Sequence, residues 1–247
     1  MAWTSLNPKS AYGWIDGGGG GGLGVYSETN SDPNVTALWY FDEASGDIVD
    51  EISGITCSVV STPTFNQTAT GLYANISPGI LYPVDTGKYH LKNAPEVTMD
   101  PGTGDLTVEY WYTSTRASSY SIPISTRVIA TGRGLQIEMY PAGTFDIYIK
   151  AEDDSAVSAS MSYGAATPFD GNPHFVRVSL NRSGNVTIRL DEVSLGTASL
   201  AAIAGKNVVT GRIEIPGFAT GNEMIGRMYV LRWSLNSTNN LVPVWLG

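Results

Sequence analysis

The sequence predicts an all-β chain folded as one sandwich of antiparallel sheets, and three observations carry that expectation. Apolar and polar residues alternate with a period of two in successive runs from Leu38 onward. Glycine, proline and asparagine recur between those runs at intervals typical of sandwiches. The only helix-compatible stretch, Ala198 to Ala204, is too short to matter. With 247 residues, 42% hydrophobic and 15% charged, the chain can build one large β domain.

Taken in order, residues 1–34 form an N-terminal arm and residues 35–247 the sandwich domain. The arm carries Trp3, Tyr12, Trp14 and Ile15 as apolar islands, followed by the glycine run Gly17 to Gly22. A glycine run reads as a flexible linker. Held in order, it would instead lie close to a neighbouring subunit's backbone, with the aromatic residues as anchors in that partner or tucked onto the domain's own surface. The domain opens with the strand Leu38-Trp39-Tyr40-Phe41, the acidic turn Asp42 to Asp47, and a second strand start at Ile48-Val49. Leu106 to Thr113 alternates, with Leu106, Val108, Tyr110 and Tyr112 on one face and Thr107, Glu109, Trp111 and Thr113 on the other. Gly134 to Tyr140 and Thr144 to Lys150 flank Pro141-Ala142-Gly143 as a hairpin. His174 to Leu180 and Val186 to Leu190 flank a second turn, and Arg212 to Ile215 and Arg227 to Trp233 add further strands. The chain closes on the apolar tail around Trp245, which must be buried in this domain or in a partner.

Composition excludes several classes of function. A net charge of −9 without clustered Lys and Arg opposes nucleic-acid binding and docking on an anionic membrane. No run of about 18 apolar residues exists to form a transmembrane helix, and Met1 to Ser5 lacks the basic start of a signal peptide. The single cysteine, Cys57, forms no internal disulfide and reads as a small buried hydrophobe. The N-x-S/T sites at Asn34, Asn66, Asn75, Asn181, Asn185 and Asn236 are the chance yield of a chain rich in Asn, Ser and Thr.

Several segments match one family in order. Trp39-Tyr40-Phe41-Asp42-Glu43-Ala44-Ser45-Gly46 resembles the opening of the laminin-G-like, concanavalin A-type lectin/glucanase domains. Tyr89-His90-Leu91 and the Leu106 to Tyr112 strand follow, with Trp111 in the family's tryptophan position. Gly171 to Val178 resembles its histidine-bearing strand, with Pro173 where tryptophan is usual. Val186 to Gly196 resembles its Asp-Gly hairpin, with Asp191 matching and Glu192 replacing glycine. Ile225 to Arg232 resembles the closing strand without its aspartate. Over residues 36–235 the resemblance implies a concanavalin A-like jelly-roll sandwich of two antiparallel sheets. It also implies binding of glycans, proteins or lipids, and use as a decorating module on phage and bacterial surface proteins.

Little catalytic chemistry is visible. A glycosidase needs two carboxylates about 5–9 Å apart, whereas Glu109 stands alone in its strand, Glu138 lies between Gln136 and Tyr140, and Asp191 and Glu192 diverge if extended. No nucleophile motif or phosphate loop occurs, so no catalytic residues are assigned. His174 reads as a structural histidine beside the Gly171 to Pro173 turn. Calcium is the one cofactor left open. Asp42, Glu43, Asp47 and Asp50, with Glu51, are candidate ligands, as is Glu152-Asp153-Asp154, although solvated turn acids explain both clusters. Sugar binding would use Trp111, Tyr120, Tyr140, Tyr148 or Tyr163 as stacking surfaces. Together these features lead to the expectation of a non-enzymatic virion protein of a bacteriophage. It would decorate head or tail as a homo-oligomer bound to other virion proteins and meet host-surface glycans. The assembly elements would be Trp3, Tyr12, Trp14, Ile15 and Trp245. Alternatives are a secreted or cell-surface lectin module and, less readily, a glycoside hydrolase.

Overall fold

The computed structural model describes residues 11–13, 24–27, 34–39, 41, 44–50, 52–59, 64–67, 79–82, 91–93, 99–115, 120–128, 130–164, 168–211, 213–215, 225–236 and 244–245. The strands in chain order are β1 (Ala11–Gly13), β2 (Gly24–Ser27), β3 (Val35–Trp39), β4 (Ile48–Val49), β5 (Thr56–Val59), β6 (Thr64–Gln67) and β7 (Gly79–Tyr82). They continue with β8 (Leu91–Asn93), β9 (Leu106–Ser114), β10 (Ser121–Ser125), β11 (Gly134–Tyr140), β12 (Thr144–Lys150) and β13 (Ala156–Ser162). The last are β14 (His174–Leu180), β15 (Asn185–Leu190), β16 (Val193–Ser199), β17 (Glu214–Ile215), β18 (Gly226–Leu235) and β19 (Val244–Trp245). The helix-compatible stretch contributes only the end of β16 and a 3-10 turn, Ala201–Ile203.

Two antiparallel sheets form the sandwich. The first runs β13-β12-β11-β10-β17-β8-β5-β4 and the second β16-β15-β14-β9-β18-β7-β6. Strand β18 is long enough to serve three neighbours. It pairs with β9 along its length, with β7 through Gly226 to Met228, and with β3 through Leu231 to Ser234. At its start Gly226 has φ +155°, and a Cβ there would collide with the Thr113 carbonyl, so glycine is required for β18 to approach β9. A separate small sheet, β1-β2-β19, joins the arm to the C-terminal tail, with Tyr12 opposite Tyr26 and Trp245 opposite Gly24.

The core lies between the two large sheets. Strand β9 sends in Leu106, Val108, Tyr110 and Tyr112, and the β11–β12 hairpin sends in Leu135, Ile137, Met139, Phe145, Ile147 and Ile149. Cys57 is buried in this core. Trp39 and Trp233 are fully buried, and each indole N–H finds a carbonyl, Ile55 O at 3.3 Å and Met99 O at 3.1 Å. Strand β10 was not evident from the sequence because Pro123 lies inside it. The register slips between Ser121 and Ile124, so the proline sits in a bulge where no ladder bond is lost.

The opening segment differs from expectation in one respect. The β3 strand stops at Trp39, and Phe41 adopts φ +54° with its ring fully buried. Asp50 secures the turn between β4 and β5 and ties it to β3. Its carboxylate accepts from the amides of Leu38, Ile52, Ser53 and Ile55 at 2.6–3.2 Å and from the Ser53 hydroxyl at 2.6 Å.

The outward face of β9 also departs from expectation. Alternation implies a solvated face, yet Thr107, Glu109, Trp111 and Thr113 are all buried. Glu109 lies between two arginines on the adjacent strands. Arg177 Nε of β14 donates to Oε1 at 2.7 Å, and Arg232 Nε of β18 donates to Oε2 at 2.6 Å, its Nη2 pairing with the same oxygen. Arg177 Nη1 also meets Glu192 Oε2 at 3.0 Å, so two Arg and two Glu form one neutral network. Removing one member of a buried ion network strands the remaining charges. The Glu109→Ala variant is therefore expected to lose about 3–5 kcal/mol of stability in urea unfolding.

Candidate functional site

The β11–β12 hairpin separates its residues cleanly. Leu135, Ile137 and Met139 oppose Ile149, Ile147 and Phe145 on the core side, while Gln136, Glu138 and Tyr140 oppose Tyr148, Asp146 and Thr144 on the outward side. The turn closes with Gly143 N donating to Tyr140 O at 3.0 Å, and Gly143 has φ +111°. The outward side chains are half-buried, except Gln136, which is buried.

A chain of hydrogen bonds runs along the outward side of β11. Arg127 Nη1 donates to Gln136 Oε1 at 3.1 Å, Gln136 Nε2 donates to Glu138 Oε1, and Tyr140 Oη donates to Glu138 Oε2 at 2.7 Å. The Arg127 guanidinium lies 4.5 Å over the Tyr148 ring. Tyr120 stacks on Tyr140 with centroids 5.0 Å apart and planes at 16°. Across the hairpin, Ser160 Oγ of β13 donates to Asp146 Oδ1 at 2.5 Å. Partial burial, then the bond to Glu138, raises the Tyr140 phenol above the ordinary tyrosine range, so it stays a neutral donor.

Of the five aromatic candidates, the fold brings Tyr120, Tyr140 and Tyr148 onto this one face. Trp111 is on the second sheet, buried, with its ring 5.4 Å from Phe175, so it offers no stacking surface. Tyr163 is buried edge-on against Phe145, and its hydroxyl donates to Tyr140 O. It supports the site from beneath. Sequence reading missed Arg127 and the pairing of Glu138 with Asp146. The second was countable, because stepping outward from the 141–143 turn puts residue 138 opposite residue 146.

Among the described residues, the calcium candidates are placed otherwise than a cation site requires. Asp50 is saturated with N–H and O–H donors, whereas a cation needs free acceptor oxygens. Asp47 is engaged by Val59 N at 3.0 Å and Ser58 Oγ at 3.3 Å. Asp42, Glu43 and Glu51 lie outside the described residues. In the 152–154 cluster, Glu152 accepts from Asn207, Asp153 pairs with Lys206 at 2.7 Å, and Asp154 pairs with Lys150 and Arg133 at 3.0 and 3.3 Å. The Lys206 and Ser155 bonds hold the Asp153 carboxyl down to about 2. Among the described residues no three His, Cys, Asp or Glu side chains gather as a metal site. Of the assembly residues, Tyr12 and Trp245 belong to the small sheet, and Trp3, Trp14 and Ile15 lie outside the described residues.

Glu109, one of the four carboxylates weighed for hydrolysis, is locked between arginines and buried away from solvent. Asp191 and Glu192 are not extended. Both have positive φ, +49° and +65°, in the turn between β15 and β16. Asp191 Oδ2 meets His174 Nδ1 at 2.8 Å, and Asp170 Oδ1 meets His174 Nε2 at 3.0 Å. His174 thus clamps the 168–173 loop to the β15–β16 turn, as a structural histidine.

No protein-family model matches the chain, and no curated protein matches it. Among solved structures it is similar to the binding domain of Paraclostridial Mosquitocidal Protein 1, with TM-score 0.63, 12% identity, and coverage of 83% of this chain and 50% of that one. It is similar to the receptor binding domain of botulinum neurotoxin D, with TM-score 0.63, 10% identity and the same coverages, 83% and 50%. It is similar too to the botulinum neurotoxin serotype D ligand binding domain in complex with N-acetylneuraminic acid, with TM-score 0.62, 9% identity, and coverages of 83% and 48%. At such identities the likeness is one of fold, and the chain spans about half the length of these domains. The protein is an all-β sandwich of the kind found in binding domains.

The His174 clamp makes stability pH-dependent. Burial lowers the imidazole's affinity for its proton, but the bonds to Asp191 and Asp170 outweigh this and raise it above the ordinary value. The contribution is complete below the unfolded value of about 6.5 and is lost as pH rises through the raised folded value. At the acid end, Asp170 is desolvated, yet its bonds to Asn172 and His174 lower its carboxyl, so that share is lost as pH falls below about 4. Urea midpoints from about pH 5.5 to about pH 8.5 should decline in the native chain and stay flatter in His174→Gln.

Proposed function

We propose that this protein is a non-enzymatic adhesive module that holds a glycan on the outward face of the β11–β12 hairpin. The observation that carries the reading is the convergence there of the Tyr120–Tyr140 stack, Tyr148, and the acceptors Glu138 and Asp146. Rigid aromatic faces beside a few hydrogen-bonding groups are the composition of a saccharide site. The similar solved structures add support, since they are named as binding, receptor binding and ligand binding domains, one of them with N-acetylneuraminic acid.

The setting we propose is a virion surface, with the sandwich displayed outward from a bacteriophage head or tail and assembled as a homo-oligomer alongside other virion proteins. The 1–34 arm is the attachment element in this reading, with the strands of Tyr12 and Trp245 flanking β2 in the β1-β2-β19 sheet. A secreted or cell-surface lectin module would use the same face.

Two measurements test these proposals. The full chain applied to a glycan array should bind selectively, and Tyr140→Ala should weaken the signal while leaving the circular dichroism spectrum unchanged; absence of any selective binding by the native chain would count against the adhesive reading. In solution, the full chain should associate and a folded variant lacking residues 1–34 should be a monomer. Equal masses per chain for both would remove the arm's assembly role.

A further inference from the structure

Granting that the β11–β12 face is the saccharide site, its charges restrict what it accepts. We infer that the face selects neutral oligosaccharides and rejects sialylated and other anionic ones. The geometry behind this is the pairing of Glu138 with Asp146, register partners on adjacent strands whose side chains share the outward side. Residues directly opposite in an antiparallel pair have Cβ atoms about 5 Å apart, so the two carboxylates face a ligand together. Among the described residues, Asp146 Oδ1 is engaged by Ser160 and its second oxygen has no partner, leaving an acceptor for a sugar hydroxyl.

An anionic sugar needs a cation, and among the described residues those beside this face, Arg127 and Lys150, are already committed. Arg127 donates from Nε to Gly132 O at 3.2 Å and from Nη1 to Gln136, with its plane over Tyr148. Lys150 donates to Thr131 O at 3.0 Å and pairs with Asp154 at 3.0 Å. Freeing either one would break bonds within the fold before any bond to ligand formed. Meanwhile each carboxylate meeting a sialate at about 4 Å costs about fivefold in affinity even at the dielectric of water. The chain's net charge of −9 adds a weaker repulsion of the same sign.

The face also favours more than one sugar ring. Tyr140 and Gln136, with Tyr148 opposite the latter, are four residues apart along β11, a span of about 13 Å. The Tyr120–Tyr140 stack holds one end of that span in place before a ligand arrives, which lowers the entropy cost of stacking. Gln136 is fixed between Arg127 and Glu138, so the polar strip joining the two ends is preformed as well.

The test uses the full chain with paired probes, neutral galactose- or glucose-terminated oligosaccharides and the same oligosaccharides capped with sialic acid. Binding of the neutral member at least about tenfold tighter than its sialylated partner is expected. Tyr140→Ala and Asp146→Asn should each weaken neutral binding, the first by about tenfold. Preference for the sialylated member would overturn the inference while leaving the binding module standing. Failure to bind any glycan would overturn both. Neutral binding untouched by either substitution would move the site elsewhere and overturn the assignment to this face.

Discussion

A buried carboxylate between two arginines sets the register of the second sheet. Glu109 on β9 reaches Arg177 on β14 and Arg232 on β18, and all three are shut off from water. Slipping either neighbour by one residue would move its arginine to the core and leave Glu109 unpaired, which costs far more than losing an apolar contact. The three central strands are thus fixed together by charge as well as by packing. The same requirement explains Glu192. The turn it occupies has positive φ, where glycine is the easier residue, and glutamate stands there at a cost of about 1 kcal/mol of backbone strain. It completes the network through Arg177, and that is the physical reason for the departure from an Asp-Gly hairpin.

The ion network closes one outward face, while the outward face of the β11–β12 hairpin is less deeply buried. On the second sheet, charged and aromatic side chains turn toward each other and are buried, so Trp111 and Phe175 behave as core residues although they point away from the main core. On the first sheet the outward residues of β11 and β12, apart from the buried Gln136, are half-buried. Their polar atoms form a line along the hairpin that meets solvent at Tyr140 and Asp146. Beneath them Tyr163 and Phe145 pack edge to face, tying the platform to the core.

Much of the fold was legible in the sequence, because strand alternation and turn residues are local signals. The bounds of β11, β12 and β14 are those the alternation predicts, and the fold class follows from them. What alternation cannot report is whether the second face of a strand is covered, and β9 is the example. Its polar face reads as solvated, and only the approach of Arg177 and Arg232, 68 and 123 residues distant, shows otherwise. Asp50 was misread for a related reason. A carboxylate in an acidic turn looks like a cation ligand until the backbone amides that converge on it are known. In the candidate site, the tyrosines were visible as a residue type, while the three that share a face depended on strand pairing.

The hairpin's strict alternation carries a consequence for variation. Positions 135, 137, 139, 145, 147 and 149 supply the core, and positions 136, 138, 140, 144, 146 and 148 supply the outward side. The two sets lie on opposite sides of the sheet. Substitutions can therefore accumulate on the outward set without disturbing the packing that holds the domain together. One scaffold of this kind can be re-specified for a succession of ligands, each new specificity written on alternate residues of two strands.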